Sequence, residues 1–271
     1  MSRDLIWLNG NIVSNTETVS VFDRGLLYGD GLYETIRVRN GNAIRFDLHL
    51  ERLTAGLQVL NIPVPRFDLH AAVTDILKAG GLADARVRIT VTRGLSVGKS
   101  EPTVIATAVP LPSNGLEPTR MVISSYRRDE ASPLTRVKTL NCLASVMASM
   151  EASIKNADDA LLLNTRGLVA EATSANIFLV QGSRLLTPSL AQGCLPGIVR
   201  RAVLELAPRM DVQPVECEVG LADLLQADEL FLTSAIKLAR PVVEMDGAAC
   251  GTGRHEVCAR VREILLREES E

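Results

Sequence analysis

Lysine is scarce in this chain. Only five occur, at 78, 99, 138, 155 and 237, and arginine supplies nearly all the remaining positive charge. Histidine is rarer still: His49, His70 and His255 lie far apart and form no ligand-spaced metal motif. The five cysteines, at 142, 194, 217, 250 and 258, are odd in number and include no C-x-x-C pair, which argues against a disulfide framework and suits reduced, mostly buried thiols. There is no basic excess either. The net charge is −3, so the clustered cations that bind nucleic-acid phosphates are missing, and Arg127-Arg128 and Arg200-Arg201 read as solvated strand or helix ends. No apolar window reaches the length of a membrane span, and Met1-Ser2-Arg3-Asp4 leads straight into a strand-like run. No membrane contact, no signal peptide and a cytoplasmic location are therefore expected.

What is present is an ordinary globular composition, 46% hydrophobic and 23% charged, without low-complexity tracts or solenoid-length repeats. At 271 residues the chain is near the size at which a single core stops growing. Two domains are expected, 1–113 and 118–271, joined by a linker at about 110–117 that contains Pro110-Leu111-Pro112-Ser113-Asn114-Gly115.

Among the lysines, only Lys138 in Arg136-Val137-Lys138-Thr139-Leu140-Asn141 has neighbours that point to burial. Burial disfavours the ammonium form of an amine, and a neutral amine can attack a carbonyl to form a Schiff base. The competing reading is a surface lysine at the start of a helix. Local context leaves both open.

In chain order, Leu5 to Leu8 and Asn11 to Val13 form a hairpin about Asn9-Gly10. Phe22 to Glu34 crowds three glycines, two tyrosines and acids into a shaped loop that enters a strand at Thr35 to Val38. A helix capped by Asp47 carries Leu50, Leu53, Leu57 and Leu60, with Arg52 beside the stripe. A second helix runs from Phe67 to Ala79. Ala85 to Thr92 alternates strictly: Val87, Ile89 and Val91 share one face, and Arg86, Arg88, Thr90 and Thr92 the other. The arginine face either meets water or lines a cavity that receives an anion.

Beyond the linker, Leu143, Val146, Met147, Met150 and Ile154 mark a helix whose stripe reads as core. Glu171 stands in an apolar, hydroxyl-bearing stretch, so if buried it needs an arginine or a ligand. Leu195-Pro196-Gly197-Ile198-Val199 opens a helix whose first turn has unpaired N–H groups, with a glycine permitting close approach as at a phosphate site. Leu230 to Ser234 is a strand ending in two hydroxyls, and a helix from about Gly253 to Arg267 closes the chain. Strands and helices mix without regular βαβ alternation, which gives an α+β fold in both halves.

Taken together, Asp23-Arg24-Gly25, Gly29-Asp30-Gly31-x-Tyr33-Glu34, His49-x-x-Arg52-Leu53, Lys138-x-x-Asn141, Glu171-x-x-Ser174-x-Asn176, Gly197-Ile198 and Asp228-Glu229-Leu230-Phe231 resemble the fold-type IV enzymes dependent on pyridoxal phosphate. That family includes D-amino-acid and branched-chain aminotransferases and aminodeoxychorismate lyase. The match runs in order along nearly the whole chain. It implies a smaller N-terminal and a larger cofactor-anchoring domain, pyridoxal 5'-phosphate at their interface, and a homodimer acting on small amino-acid and keto-acid substrates.

By position, the resemblance makes Lys138 the Schiff-base lysine and proton shuttle, and Glu171 the partner of the protonated pyridine nitrogen. Arg52 and the N–H groups of Ile198 and Val199, with Gly197, would hold the phosphate. Leu195 would pack on the ring, and Tyr33 and Thr35 would line the substrate side. There are departures from the pattern. The arginine and histidine that trap the substrate carboxylate in D-amino-acid aminotransferases are missing from Ser96-Val97-Gly98-Lys99, so Arg86 or Arg88 is assigned that part. Leu143 stands where branched-chain enzymes usually have tyrosine. Ala235 replaces a phosphate threonine, with Thr233 and Ser234 as substitutes, and looks more like the lyase. The resemblance implies an aminotransferase, with D-amino acids favoured and branched-chain donors as the next choice. The alternatives are a lyase releasing pyruvate and 4-aminobenzoate, and a non-catalytic family member.

Overall fold

The computed structural model describes residues 5–14, 16–98, 101–112 and 117–269. Lys99, Met1 to Asp4 and the 113–116 part of the expected linker lie outside the described residues. The chain divides into two compact units, Met1–Ser113 with Val137–Asn141, and Asn114–Arg136 with Cys142–Glu271. The short stretch carrying Lys138 thus goes with the first unit, whereas the sequence placed it in the C-terminal part.

The first unit contains β1 (Leu5–Leu8), β2 (Asn11–Ser14), α1 (Arg24–Tyr28), β3 (Gly31–Arg39), β4 (Asn42–Ala43), α2 (Phe46–Val59), α3 (Leu69–Gly80), β5 (Ala85–Thr92) and β6 (Thr103–Pro110). Its strands make a sheet in the order β2-β1-β6-β5-β3-β4. Asn9 and Gly10, at φ 47° and 96°, give the β1–β2 turn the left-handed pair that suits strand twist. The alternation of β5 is realised in full: Val87, Ile89 and Val91 are completely buried. They share a core with Leu32, Ile36 and Val38 of β3, Leu53 and Leu57 of α2, and Val73, Ile76 and Leu77 of α3.

Three local expectations are corrected. The stretch from Phe22 to Glu34 is not one loop, because α1 forms within it and β3 begins at Gly31, which puts Tyr33 and Glu34 in a strand. Asp47 does not cap α2. The cap position is Arg45, at φ 52°, and makes no side-chain cap bond. Asp23 instead is a working cap: buried, it accepts from Gly25 N at 2.7 Å and from the hydroxyls of Thr92 and Thr103 at 2.9 and 2.8 Å.

The second unit contains β7 (Thr119–Arg128), α4 (Leu143–Ile154), β8 (Asp159–Asn164), β9 (Val169–Ala172), β10 (Asn176–Gln181), β11 (Arg184–Pro188), α5 (Ile198–Leu206), β12 (Gln213–Cys217), α6 (Leu221–Leu225), β13 (Glu229–Ser234), β14 (Leu238–Met245), β15 (Ala248–Ala249) and α7 (Glu256–Glu268). The sheet order is β12-β11-β10-β13-β14-β7-β8-β9, with β15 beside β14. Parallel pairs (β7 with β8 and β14, β11 with β12) mix with antiparallel ones. Helices α5 and α7 cover one face through Val199, Val203, Cys258, Val261 and Leu265, against the stacked rings of Phe178 and Phe231.

Helix α4 overturns its sequence reading. Its buried residues are Ala148 and Ala152, packed on Val122, Ala160 and Leu162. The stripe expected in the core faces outward: Leu143 is 70% exposed, Met150 53% and Ile154 81%, with Val146 and Met147 also exposed. Small alanines let the helix lie close on the sheet, so the large side chains are left on the other side.

Candidate active site

In the first unit, Val137 to Leu140 pairs with the start of β3. Tyr33 N donates to Lys138 O and Leu140 N to Gly31 O, both at 2.9 Å, and Leu32 bridges Thr139 in antiparallel register. Val137 is buried in the core with Leu32, whereas Lys138 turns towards Tyr33. Lys138 Nζ lies 4.5 Å from the centre of the Tyr33 ring, and Arg88 Cζ lies 3.7 Å from the same centre. Cations near an aromatic ring are attracted by its quadrupole. Lys138 is half-buried rather than buried, and it sits in a turn five residues before α4, not at a helix start.

Register fixes the neighbours on the face that carries Tyr33. Thr35 is opposite Arg88, Tyr33 opposite Thr90, and Arg37 opposite Arg86. Arg88 is half-buried, and its Nε donates to Thr90 Oγ1 at 3.3 Å; Arg86 is exposed. Of the two arginines assigned to an anion, Arg88 is the one held against Tyr33.

Arg52 is found in a buried ion cluster on the core side. Its Nε and Nη2 donate to Glu34 Oε1 and Oε2 at 2.8 and 2.6 Å, and His49 Nδ1 meets Oε2 at 2.7 Å. Glu34 and His49 are each 1% exposed. Burial alone would raise the Glu34 pKa, but the hydrogen bonds from His49 and Arg52 outweigh it and hold the carboxyl at about 2.

In the second unit, Glu171 of β9 is buried and held by two groups. Arg128 Nη2 lies 2.9 Å from Oε1, and Leu195 N donates to Oε2 at 2.9 Å. Arg128 also donates to the carbonyls of Gly193 and Thr135, at 3.2 and 3.0 Å. It is therefore no solvated strand end. The β7–β8 register shifts between Ile123 and Arg127, and Glu151 of α4 satisfies the displaced Ser124 and Ser125, accepting from both hydroxyls and from Ser125 N. A bulge re-aims the residues that follow it, and a local Arg-Arg pair gives no sign of one.

Helix α5 begins at Ile198 with Gly197 at its cap position and no side-chain cap bond, so its first N–H groups are presented rather than covered. Leu195 and Gly197 are half-buried, Ile198 and Val199 buried. Asn176, which the site assignment omitted, donates from Nδ2 to Leu195 O at 2.9 Å. Thr233 is 2% exposed, and its hydroxyl has no hydrogen-bond partner among the described residues. Such an orphan beside strand residue Asn176 is what a site for an acceptor-rich ligand leaves when described as protein alone. Ser234 Oγ accepts from Lys237 N at 3.3 Å, and Ala235 starts the turn that follows. Two acids of the Asp228-Glu229-Leu230-Phe231 motif are architectural. Glu229 accepts from Val257 N and Cys258 N at the start of α7, and Asp228 from Gly182 N.

The first unit thus holds an amine beside an aromatic ring, and the second, by itself, holds a buried carboxylate and a helix start without a side-chain cap near an unpartnered hydroxyl. The chain belongs to the class IV amino-transferase family, whose model matches residues 31–245. A Methanocaldococcus jannaschii protein provisionally named a branched-chain-amino-acid aminotransferase is 38% identical, covering 89% of this chain and 88% of its own. The D-alanine aminotransferase of Bacillus licheniformis is 30% identical (92% and 90%), and the aminodeoxychorismate lyase of Bacillus subtilis 28% (97% and 95%). Among solved structures, the branched-chain aminotransferase of Thermoproteus uzoniensis with norvaline superposes at TM-score 0.88 with 28% identity, covering 98% of this chain and 95% of that one. The α+β fold is that of fold-type IV enzymes, and the family depends on pyridoxal phosphate.

Proposed function

We propose that this protein is a pyridoxal-phosphate-dependent aminotransferase that moves the amino group of a branched-chain amino acid to a 2-keto acid. The observation that carries the reading is Lys138, pinned by backbone pairing on the same sheet face as Tyr33 and Arg88. The cofactor, when bound, supplies the electron sink for a carbanion at the substrate α-carbon. Lys138 Nζ would be the group that holds it covalently, and the freed amine would carry the α-proton. Glu171 would face its ring nitrogen, and Leu195 would pack against its ring. Gly197, the N–H groups of Ile198 and Val199, and the Thr233 hydroxyl would take the phosphate, with Ser234 and Ala235 in support; Arg52, which the resemblance assigned to it, is engaged by Glu34. Tyr33 and Thr35 line the substrate side. Arg88, ahead of Arg86, holds the substrate carboxylate.

Identity of 38% to the branched-chain relative against 30% to a D-alanine enzyme favours the branched-chain donor over the D-amino acid that the motifs suggested. The deciding experiment is a visible spectrum of the cofactor-loaded protein with single D- or L-amino acids and no acceptor. The reading expects conversion to the pyridoxamine form, with keto acid released, by leucine, isoleucine or valine. Conversion by D-alanine alone would overturn the donor class. No conversion by any amino acid, with pyruvate released from aminodeoxychorismate, would replace transfer by the lyase reaction.

The functional unit is a homodimer. In the second unit the exposed stripe Leu143, Val146, Met150 and Ile154 supports it; in the first, so do the exposed Val21, Phe22, Leu26, Leu27, Leu95 and Val97. Exposed apolar groups of this kind mark protein contacts. Sedimentation of an active monomer would refute this.

A further inference from the structure

Leu195 is held from two sides by side chains that lie five residues apart. Its N–H donates to Glu171 Oε2 and its carbonyl accepts from Asn176 Nδ2, each at 2.9 Å. Two residues on, Gly197 has φ −70° and ψ 139°, a conformation open to any L-residue. The need for glycine is one of space: a Cβ there would lie 2.0 Å from Asn176 Oδ1. Asn176 is 6% exposed, and across the β10–β13 pair it stands opposite Thr233, whose buried hydroxyl has no partner among the described residues. One amide side chain therefore adjoins both the uncapped start of α5 and the strand position of the unsatisfied hydroxyl.

We propose that Asn176 is a positioning residue for the anion site at the start of α5, and that residue 197 is glycine to admit Asn176 rather than to admit the ligand. This rests on the reading that the start of α5 receives the cofactor phosphate. Asn176 acts through the backbone: with Leu195 and Gly197 fixed, the N–H groups of Ile198 and Val199 are already directed when an anion arrives, and little ordering is left to be done on binding. Glu171 holds the other side of Leu195, so the same peptide also links the carboxylate to the helix start.

The test is a double-mutant cycle of Asn176→Ala and Gly197→Ala. It is read as thermal unfolding of the cofactor-free protein and as affinity for inorganic phosphate, pyridoxal phosphate and pyridoxal, which lacks the phosphate. Each single variant is expected to weaken inorganic phosphate and pyridoxal phosphate by about tenfold or more, and pyridoxal by less than about twofold. Gly197→Ala should lower the melting temperature strongly in the wild-type background and only slightly once Asn176 is alanine, because the atom it strikes is gone. An equal effect in both backgrounds, or unchanged phosphate affinity in Asn176→Ala, would overturn the proposal. Should Asn176→Ala not fold, Asn176→Ser, shorter but still polar, serves in the same cycle. Wild-type protein that binds neither phosphate nor pyridoxal phosphate would defeat the reading of the site itself, whereas the melting cycle reports the Asn176–Gly197 contact without any ligand.

Discussion

Tyr33 and Lys138 are joined twice: the Tyr33 N–H donates to the Lys138 carbonyl at 2.9 Å, and Lys138 Nζ lies 4.5 Å from the centre of the Tyr33 ring. The backbone bond is independent of side chains, whereas the second contact needs a ring. Tyr33→Phe should therefore react with pyridoxal phosphate about as fast as wild type, while Tyr33→Ala should be about two- to fivefold faster, because a part-exposed cation–π contact favours the charged amine and only the neutral amine attacks the aldehyde. Stopped-flow absorbance measures both. Equal rates in all three proteins would show that the ring does not favour the charged amine.

Arg88 and Arg86 are separated by the same register. Arg88 is half-buried on Tyr33, and Arg86 is exposed opposite Arg37. Arg88→Ala should raise the KM for amino donors by about 10- to 100-fold, as expected for a lost charge-assisted hydrogen bond, and Arg86→Ala by less than about threefold. An unchanged KM for every donor in Arg88→Ala would remove that residue from the carboxylate site.

The Glu34 cluster predicts an acid limit. Its carboxyl has a pKa of about 2 in the folded chain against 4.5 for the ordinary group. A depressed carboxylate contributes stability that is complete above about pH 4.5 and disappears as pH falls towards 2, a contribution on the order of 3 kcal/mol. Glu34→Gln should melt lower at pH 7, because Arg52 keeps its burial without a counter-charge, and its melting temperature should vary less than wild type between pH 5 and 2. Parallel melting curves for the two proteins across that range would contradict the assignment.

Ile154, at 81% exposure, makes no contribution to the core of its own unit. Ile154→Glu should leave the fold intact by circular dichroism and shift the protein towards monomer in analytical ultracentrifugation. Ordinary dimer stability in this variant would place the contact elsewhere.

Much of the first unit could be read from the chain, because its signals are periodic. The β5 alternation named its buried face residue by residue, and Asn9-Gly10 named its turn. In α4, by contrast, periodicity showed that one face is apolar but not what covers it, and two alanines took the side next to the sheet. Arg128 was misread because its reach to Glu171 follows a strand bulge formed by long-range pairing. Glu34 was quoted in a motif, yet its partners His49 and Arg52 lie 15 and 18 residues away on α2, and only the packing of α2 on β3 joins them. Lys138, Glu171 and Gly197 stand out in the sequence by their surroundings, but the parts assigned to them come from the family resemblance and not from any local signal.

The crossings of the chain between its units have a practical consequence. Residues 1–113 and 114–271 cannot be produced as two self-sufficient fragments, since five residues from the second, Val137–Asn141, complete the first. A protein cut near residue 113 would leave the edge of β3 at Gly31 to Tyr33 without its neighbour and carry Lys138 away on the other piece. Exchange of whole N-terminal halves between relatives meets the same obstacle. A working chimera must take the short 137–141 insert from the same parent as the sheet it completes.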